Sequence, residues 1–407
     1  MSVSALKQAT RGEAENLDVQ LRQHFDLGLA LSVAILLALG LVMVTSASIS
    51  LADRELGNPF YYLERQVVFV AVGLAIAAVI YRVPLAHWET AGMGLLVFSA
   101  FLLLLVLLPG VGKTVNGATR WLPLGIISLQ VSELAKLFVA IYIAGYLVRR
   151  GREVRGSFAG FLKPVVVLSL MAVLLLAEPD FGAAVVLMAM GLGMLFLGGA
   201  RLGQFGLLLL LVLTALAVLA ISSPYRMQRL TAFLNPWADP FNSGFQLTQS
   251  LIAIGSGSWF GTGLGGSVQK LFYLPEAHND FLFAVLAEEL GLVGVVLVVA
   301  LYGYFVWRCF AIGATAERLG QTFAAYLSYG IGIWFGLQAF VNMGVNMGLL
   351  PTKGLTLPLM SAGGSSMLVM CAAVGLLLRV HRESVSVVAP ETGSWSLDRR
   401  PRQGRAQ

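Results

Sequence analysis

The sequence predicts an all-α polytopic membrane protein, and three observations carry that expectation. Hydrophobic residues make up 57% of the 407-residue chain and charged residues only 12%, about half the charged share of an ordinary soluble domain. So few charges cannot coat a soluble globule of 43.5 kDa, and a mean hydropathy of +0.81 excludes a disordered chain as well. The apolar residues also fall in long runs such as Leu207–Ile221 and Leu292–Ala300. A membrane β-barrel would show alternating segments of about ten residues instead.

Windows of about 20 apolar residues define ten transmembrane helices, at 27–46, 66–82, 91–108, 132–148, 162–177, 181–199, 204–222, 282–308, 322–344 and 364–380. The first follows a polar stretch that reaches Asp26, too late for a cleaved signal peptide, and reads as an uncleaved anchor. The fifth and sixth are one apolar stretch broken by Glu178-Pro179-Asp180, which should force a tight re-entry turn. Between the seventh and eighth, the segment GFQLTQSLIAIGSG fits a helix lying in the membrane interface or packing on the bundle. The chain thus divides into an N-terminal segment (1–26), a membrane domain (27–380) containing an extracytoplasmic loop (223–281), and a disordered tail (381–407).

Ten spans place both termini on one side, and the basic residues say which. With the N-terminus cytoplasmic, 18 of the 27 Lys and Arg residues fall on inner segments, four of the arginines in RRGREVRGSF alone. The net charge of +6 is then a topology signal and an attraction to anionic inner-leaflet lipid, and nucleic acid is not needed to explain it. The long segments 109–131, 223–281 and 343–365 all fall outside, so the active surface is expected there. Cys309 and Cys371 lie far apart in apolar spans and suggest neither a disulfide nor zinc. The near-matches to nucleotide motifs, Gly110–Thr114 and Gly261–Gly266, lack their strand contexts and lie on the side without nucleotides.

Two segments carry chemistry. YLPEAHNDFLFAVLAEELG (273–291) places Glu276, His278 and Asp280 just before the eighth span and Glu288-Glu289 inside it, where charge is costly and tends to be functional. Asp280 at the bundle mouth suits a general base. NGATRWLPLGIISLQVSELAKL (116–137) places Arg120 beside the interfacial Trp121, suited to a phosphate group. Glu133 and Lys136, at i and i+3, share one helix face, either as a structural pair or as substrate contacts. Arg65, Arg120, Lys136 and Lys353 would together suit a lipid pyrophosphate.

The motifs GATRW, SELAK, Pro-Asp-x-Gly at Pro179–Gly182, NPWADPFNSGFQLTQSLIAIGSG, LPEAHNDFLFAVLAEELG, PTKGLTLPLMS and GGSS occur in the order found in the SEDS family, which the chain resembles from the first span to the tenth. PEAHNDF and PTKGLTLP look like the cell-division branch of that family. The resemblance implies a peptidoglycan glycosyltransferase of the bacterial inner membrane that polymerises lipid II at the outer leaflet during septal wall synthesis. It implies a class B penicillin-binding protein (an FtsI-like transpeptidase) and other divisome membrane proteins as partners. It carries the catalytic aspartate to Asp280 and substrate-cavity roles to Arg120, Trp121, Glu133, Lys136, Glu276 and Lys353; Arg65, Asp180 and His278 complete the candidate substrate-binding set. No cofactor is implied with certainty, a divalent cation (Mg or Mn) at the pyrophosphate being the candidate. Two departures stand out: Ala362 where the family usually has tyrosine, and Val131 where proline often precedes SELAK.

The chemistry asks for the same parts. A sugar hydroxyl must lose its proton as it attacks an anomeric carbon, and a pyrophosphate must leave beside cations. The competing classes are a lipid II flippase and a divisome scaffold. A flippase would place ionisable groups near the bilayer midplane in repeated halves, and here the charges cluster at outer ends.

Overall fold

A computed structural model of the protein describes residues 25–115, 118–125, 127–221, 233–242, 244–271, 273–351 and 354–388. All ten predicted spans fall on helices: α1 (Leu27–Leu56), α2 (Tyr61–Arg82), α3 (Leu85–Leu107), α4 (Val131–Gly156), α5 (Phe158–Ala177), α6 (Phe181–Leu197), α7 (Leu202–Ile221), α9 (Leu282–Arg318), α10 (Thr322–Asn346) and α11 (Gly364–Val388). Eight of these are long and apolar enough to cross a membrane, while α6 and the Leu202–Val212 part of α7 are shorter apolar helices. The architecture is that of a polytopic helical membrane protein.

Local chemistry sets the helix ends. Asp26 caps α1 by accepting the Leu29 N–H at 2.9 Å, and Gly57 closes it with φ +66°. The Glu178-Pro179-Asp180 break is the tight turn expected: Asp180 caps α6 by accepting the Ala183 N–H at 3.2 Å. In α9, Gly291 (φ +66°, ψ −164°) interrupts the helix. The backbone groups freed by the break bond to the preceding loop, Leu292 N–H to Ser258 O at 2.9 Å and Thr262 N–H to Glu288 O at 2.9 Å. Only the part of α9 after Gly291 reads as a clean span; residues 282–289 are buried inside the protein.

Two expectations need correcting. The chain is not all-α: segment 109–131 contains a three-stranded antiparallel sheet of β1 (Lys113–Val115), β2 (Ala118–Leu124) and β3 (Ile127–Gln130). Trp121 pairs with both Lys113 and Gln130, and Gly125 at φ +77° makes the second hairpin turn. Next, α11 continues through 381–388, which the tail was expected to include, because the i, i+4 pair Arg379–Glu383 (2.6 Å) extends it and Glu383 also accepts the Leu85 N–H at 3.0 Å. The segment over 245–256 is helix α8 (Phe245–Ser256), and it packs on the bundle: Leu247, Ser250 and Ala253 are buried, and Ser250 Oγ donates to Asn346 O at 2.8 Å.

Helix α4 forms the core. From Val131 to Leu147 it is buried almost without interruption, wrapped by α3, α5, α6, α10 and α11, whereas α2 and α3 present much of their surface outward. The sheet, the Glu178 turn, α8 and the segment Gly354–Gly363 gather at one end of this bundle.

Candidate active site

Asp280 sits two residues before α9 on a turn that several elements hold. Its carbonyl oxygen accepts hydrogen bonds from Asn342 Nδ2 (2.9 Å) and Asn346 Nδ2 (3.0 Å), one helical turn apart on α10. On either side, Ser361 Oγ donates to Asn279 O at 2.7 Å and the Ala362 N–H to His278 O at 3.0 Å. The turn begins at Glu276, whose φ of +57° is unusual for a residue with a side chain. Asn279 satisfies that strained turn twice, bonding Glu276 through its N–H (3.0 Å) and its side-chain amide (2.5 Å). A carboxyl fixed through its own backbone in this way is preorganised.

Arg120 faces it. A Cβ built on Gly354 would lie 3.2 Å from Asp280 Oδ2 and 3.8 Å from Arg120 Nη1, so this glycine borders both groups and a side chain there would crowd the carboxyl. Arg120 also stands 3.5 Å from Asp180 Oδ1, and Asp180 Oδ2 accepts a bond from Ser132 Oγ at 2.8 Å. Burial pushes the Asp280 carboxyl up to about 7; Glu276 and Asp180 add to the rise, and Arg120 opposes it. Glu178, fully buried, has no hydrogen-bond partner for either carboxyl oxygen and is pushed up to about 8, by burial first and Asp180 next. Among the described residues around Asp280, Arg120 supplies the positive charge beside Asp180, Glu178 and Glu276.

Beside Asn279 opens a groove of about 530 Å³ lined by Glu55, Arg65, Lys113, Trp121, Glu276 and His278, among others. The His278 ring lies 4.5 Å from that of Tyr62. Burial lowers its pKa, which favours the neutral imidazole.

The predicted residues therefore separate into groups. Asp280, Arg120 and Asp180 come together, and Arg65, Trp121, Glu276 and His278 share the groove. Glu133 and Lys136 lie apart from the groove: the Lys136 ammonium, fully buried, donates to Glu133 Oε1 (2.8 Å) and Gln338 Oε1 (2.6 Å) and sits 5.3 Å from the Trp334 ring. Gln338 Nε2 in turn donates to Thr356 O at 3.1 Å, which ties this network to the segment flanking Gly354. Lys353 lies outside the described residues. The expectation that Arg65, Arg120 and Lys136 meet around one polyanion is corrected, because helix packing encloses Lys136 with Glu133 and Gln338, while Arg65 lines the groove and Arg120 stands beside Asp180. Glu288 and Glu289 are both paired inside the protein. Glu288 accepts from Ser267 Oγ (2.5 Å) and Val268 N–H (2.9 Å), and Glu289 from Lys270 Nζ and Ser46 Oγ (both 2.7 Å).

Sequence reasoning missed Asn342, Asn346, Gln338 and Lys113. The first three recur every fourth residue inside an apolar span, a polar stripe that could have been read as facing the interior. Lys113 was countable only as an outer cation until strand pairing set it opposite Trp121. Among the described residues no three His, Cys, Asp or Glu side chains converge as a metal site.

Comparison with known proteins adds an independent line. The chain is 70% identical over 378 residues to a protein of Thioalkalivibrio sulfidiphilus named probable peptidoglycan glycosyltransferase FtsW, covering 93% of this chain and 94% of the relative. A protein of Nitrosococcus halophilus with the same name is 62% identical, over 88% and 92% of the two chains. Among solved structures, a chain from work on the structural coordination of polymerization and crosslinking by a peptidoglycan synthase complex matches with a TM-score of 0.73 at 33% identity, over 88% of this chain and 98% of that one. The rod shape determining protein RodA of Thermus thermophilus matches with a TM-score of 0.66 at 31% identity, over 88% and 97%. The family model described as cell cycle protein, FtsW/RodA/SpoVE, spans residues 27–386, and with the bundle and its capped, preorganised end already in place, the chain belongs to that family.

Proposed function

We propose that the protein is a peptidoglycan glycosyltransferase that polymerises lipid II at the outer face of the bacterial inner membrane during septal wall synthesis, with Asp280 as general base. The observation that carries the reading is the Asp280 carboxyl itself, backbone-locked by Asn342 and Asn346, facing Arg120 across Gly354, and with its pKa raised to about 7. A base poised near the operating pH takes a proton most effectively. In this reading the carboxylate accepts the proton of the attacking sugar hydroxyl as the new glycosidic bond forms and the bond to the lipid pyrophosphate breaks. Arg120 stabilises the departing phosphate charge.

Ten membrane spans with both termini cytoplasmic would place this end of the bundle outside, where an activated lipid-linked sugar needs no nucleotide. The likeness to a chain from a synthase complex that couples polymerization to crosslinking supports a class B penicillin-binding partner. A transporter reading draws no support from the break in α9, because the backbone of loop 257–263 bonds to it and packs closely against it. The test is purified protein, with its partner, given fluorescent lipid II and scored for glycan ladders. Asp280→Asn should cut the rate by about 10²–10⁴-fold while lipid II binding persists, and Glu276→Gln should cost less. Near-normal ladders from Asp280→Asn would remove the mechanism.

A further inference from the structure

The groove beside Asn279 is charged in both senses. Glu55 comes from the end of α1, Arg65 from the first turns of α2, Lys113 from β1 and Glu276 from the strained turn. They share one space: Glu55, Glu276 and Arg65 all act electrostatically on the Tyr62 hydroxyl, and both glutamates act on His278. Arg65 lies 5.6 Å from the Phe69 ring, which steadies its guanidinium. One wall runs through Ala362, Gly363 and Gly364 and carries almost no side chain to fill the space, while Ser128 and Ser365 line it as well.

Among the described residues that line the groove, two cations and two anions nearly cancel. A pyrophosphate entering here would gain from Arg65 and Lys113 and be repelled by Glu55 and Glu276, whereas a ligand bearing both carboxylates and an ammonium would find a partner for each. A peptidoglycan precursor carries such a group, the peptide attached to its sugar. Asn279, which lines the groove, adjoins Asp280, so a sugar reacting at Asp280 would hang its peptide there. Resting on the glycosyltransferase reading, we infer that the groove bordered by Glu55, Arg65, Lys113 and Glu276 is a subsite for the zwitterionic peptide of the substrate, with carboxylates meeting Arg65 and Lys113 and the ammonium meeting Glu55 and Glu276.

The experiment is displacement of fluorescent lipid II from the purified protein by three competitors: native lipid II, the same lipid with its peptide amine acetylated, and the same lipid with its peptide carboxylates amidated. The charged groups are largely open to water, so each edit should weaken competition by a modest factor, about fivefold to tenfold. Glu55→Gln should erase the acetylation penalty and keep the amidation penalty, and Lys113→Met should do the reverse. Equal competition by all three lipids overturns the inference. So does a peptide-free undecaprenyl pyrophosphate whose binding Lys113→Met weakens as much as that of lipid II, which would mark a pyrophosphate site. Glycan ladders scored on the same samples separate the two ideas: edit-sensitive binding without ladders keeps the subsite and removes the glycosyltransferase reading, and ladders with edit-insensitive binding do the opposite.

Discussion

Asp280 differs from an ordinary surface aspartate in holding its proton up to neutral pH, and this has two measurable consequences. As a base it works only when deprotonated, so kcat/KM should fall as pH drops through about 7 and level off above about 8, the profile of one ionisation. Stability should move the other way. The folded-state value, about 7, lies above the ordinary 3.8, so the carboxyl contributes stability that is present below about pH 4 and lost as pH rises to about 7. Thermal unfolding of detergent-purified protein at pH 8 should therefore find Asp280→Asn more stable than wild type, with the gap closing toward pH 4. An unchanged or lower melting temperature at pH 8 would mean that the carboxyl is well solvated, and the poised base would lose its physical basis.

At the scale of the element, α4 and α9 make separate predictions. Lys136→Met should destabilise the fold by about 3–5 kcal/mol, since it strands a buried Glu133 carboxylate; Glu133→Gln/Lys136→Met should recover most of that loss. The recovered double variant should nonetheless polymerise at no more than about a tenth of the wild-type rate, because Gln338 would lose the ammonium that orients it toward Thr356 and the segment flanking Gly354. Full activity in a well-folded double variant would make the pair purely structural. In α9, a Cβ at Gly291 would meet Gly261 N at 2.3 Å and Trp259 O at 2.6 Å in a backbone region reserved for glycine. Gly291→Ala should cost at least about 2–3 kcal/mol. Gly303→Ala, on the same helix with open space around it, should be neutral or slightly stabilising; equal melting temperatures for the two variants would show that the break in α9 is not needed.

For the whole molecule, orientation decides whether the site can meet a lipid-linked sugar. The arginines of α4 and its end, Arg149, Arg150, Arg152 and Arg155, mark the end of the bundle opposite Asp280. A reporter inserted at Arg152 should read as cytoplasmic and one at Phe241 as external, as judged by alkaline phosphatase and fluorescent-protein fusions in cells. The reversed pair of results would put the carboxylate on the wrong side of the membrane for its substrate.

The membrane class, the ten helical segments and the order of the motifs were legible in the sequence because each rests on local information: apolar run length, basic loops and contiguous residue patterns. Asp280 stood out for the same reason, lying in one unbroken motif at the head of a span. What the sequence could not decide was which charges meet. Glu288 and Glu289 looked functional as charges inside a span until Ser46, Ser267 and Lys270, remote in the chain, were found to hold them. Arg65, Arg120 and Lys136 looked like one cationic set until packing buried Lys136 and a small sheet, hidden inside a presumed loop, drew Arg120 to Asp180 and Lys113 toward Arg65. Hydropathy reports whether a side chain leaves water, and that is a property of its own segment. Which partner it then finds depends on distances between segments far apart in the chain, and those exist only once the helices have packed.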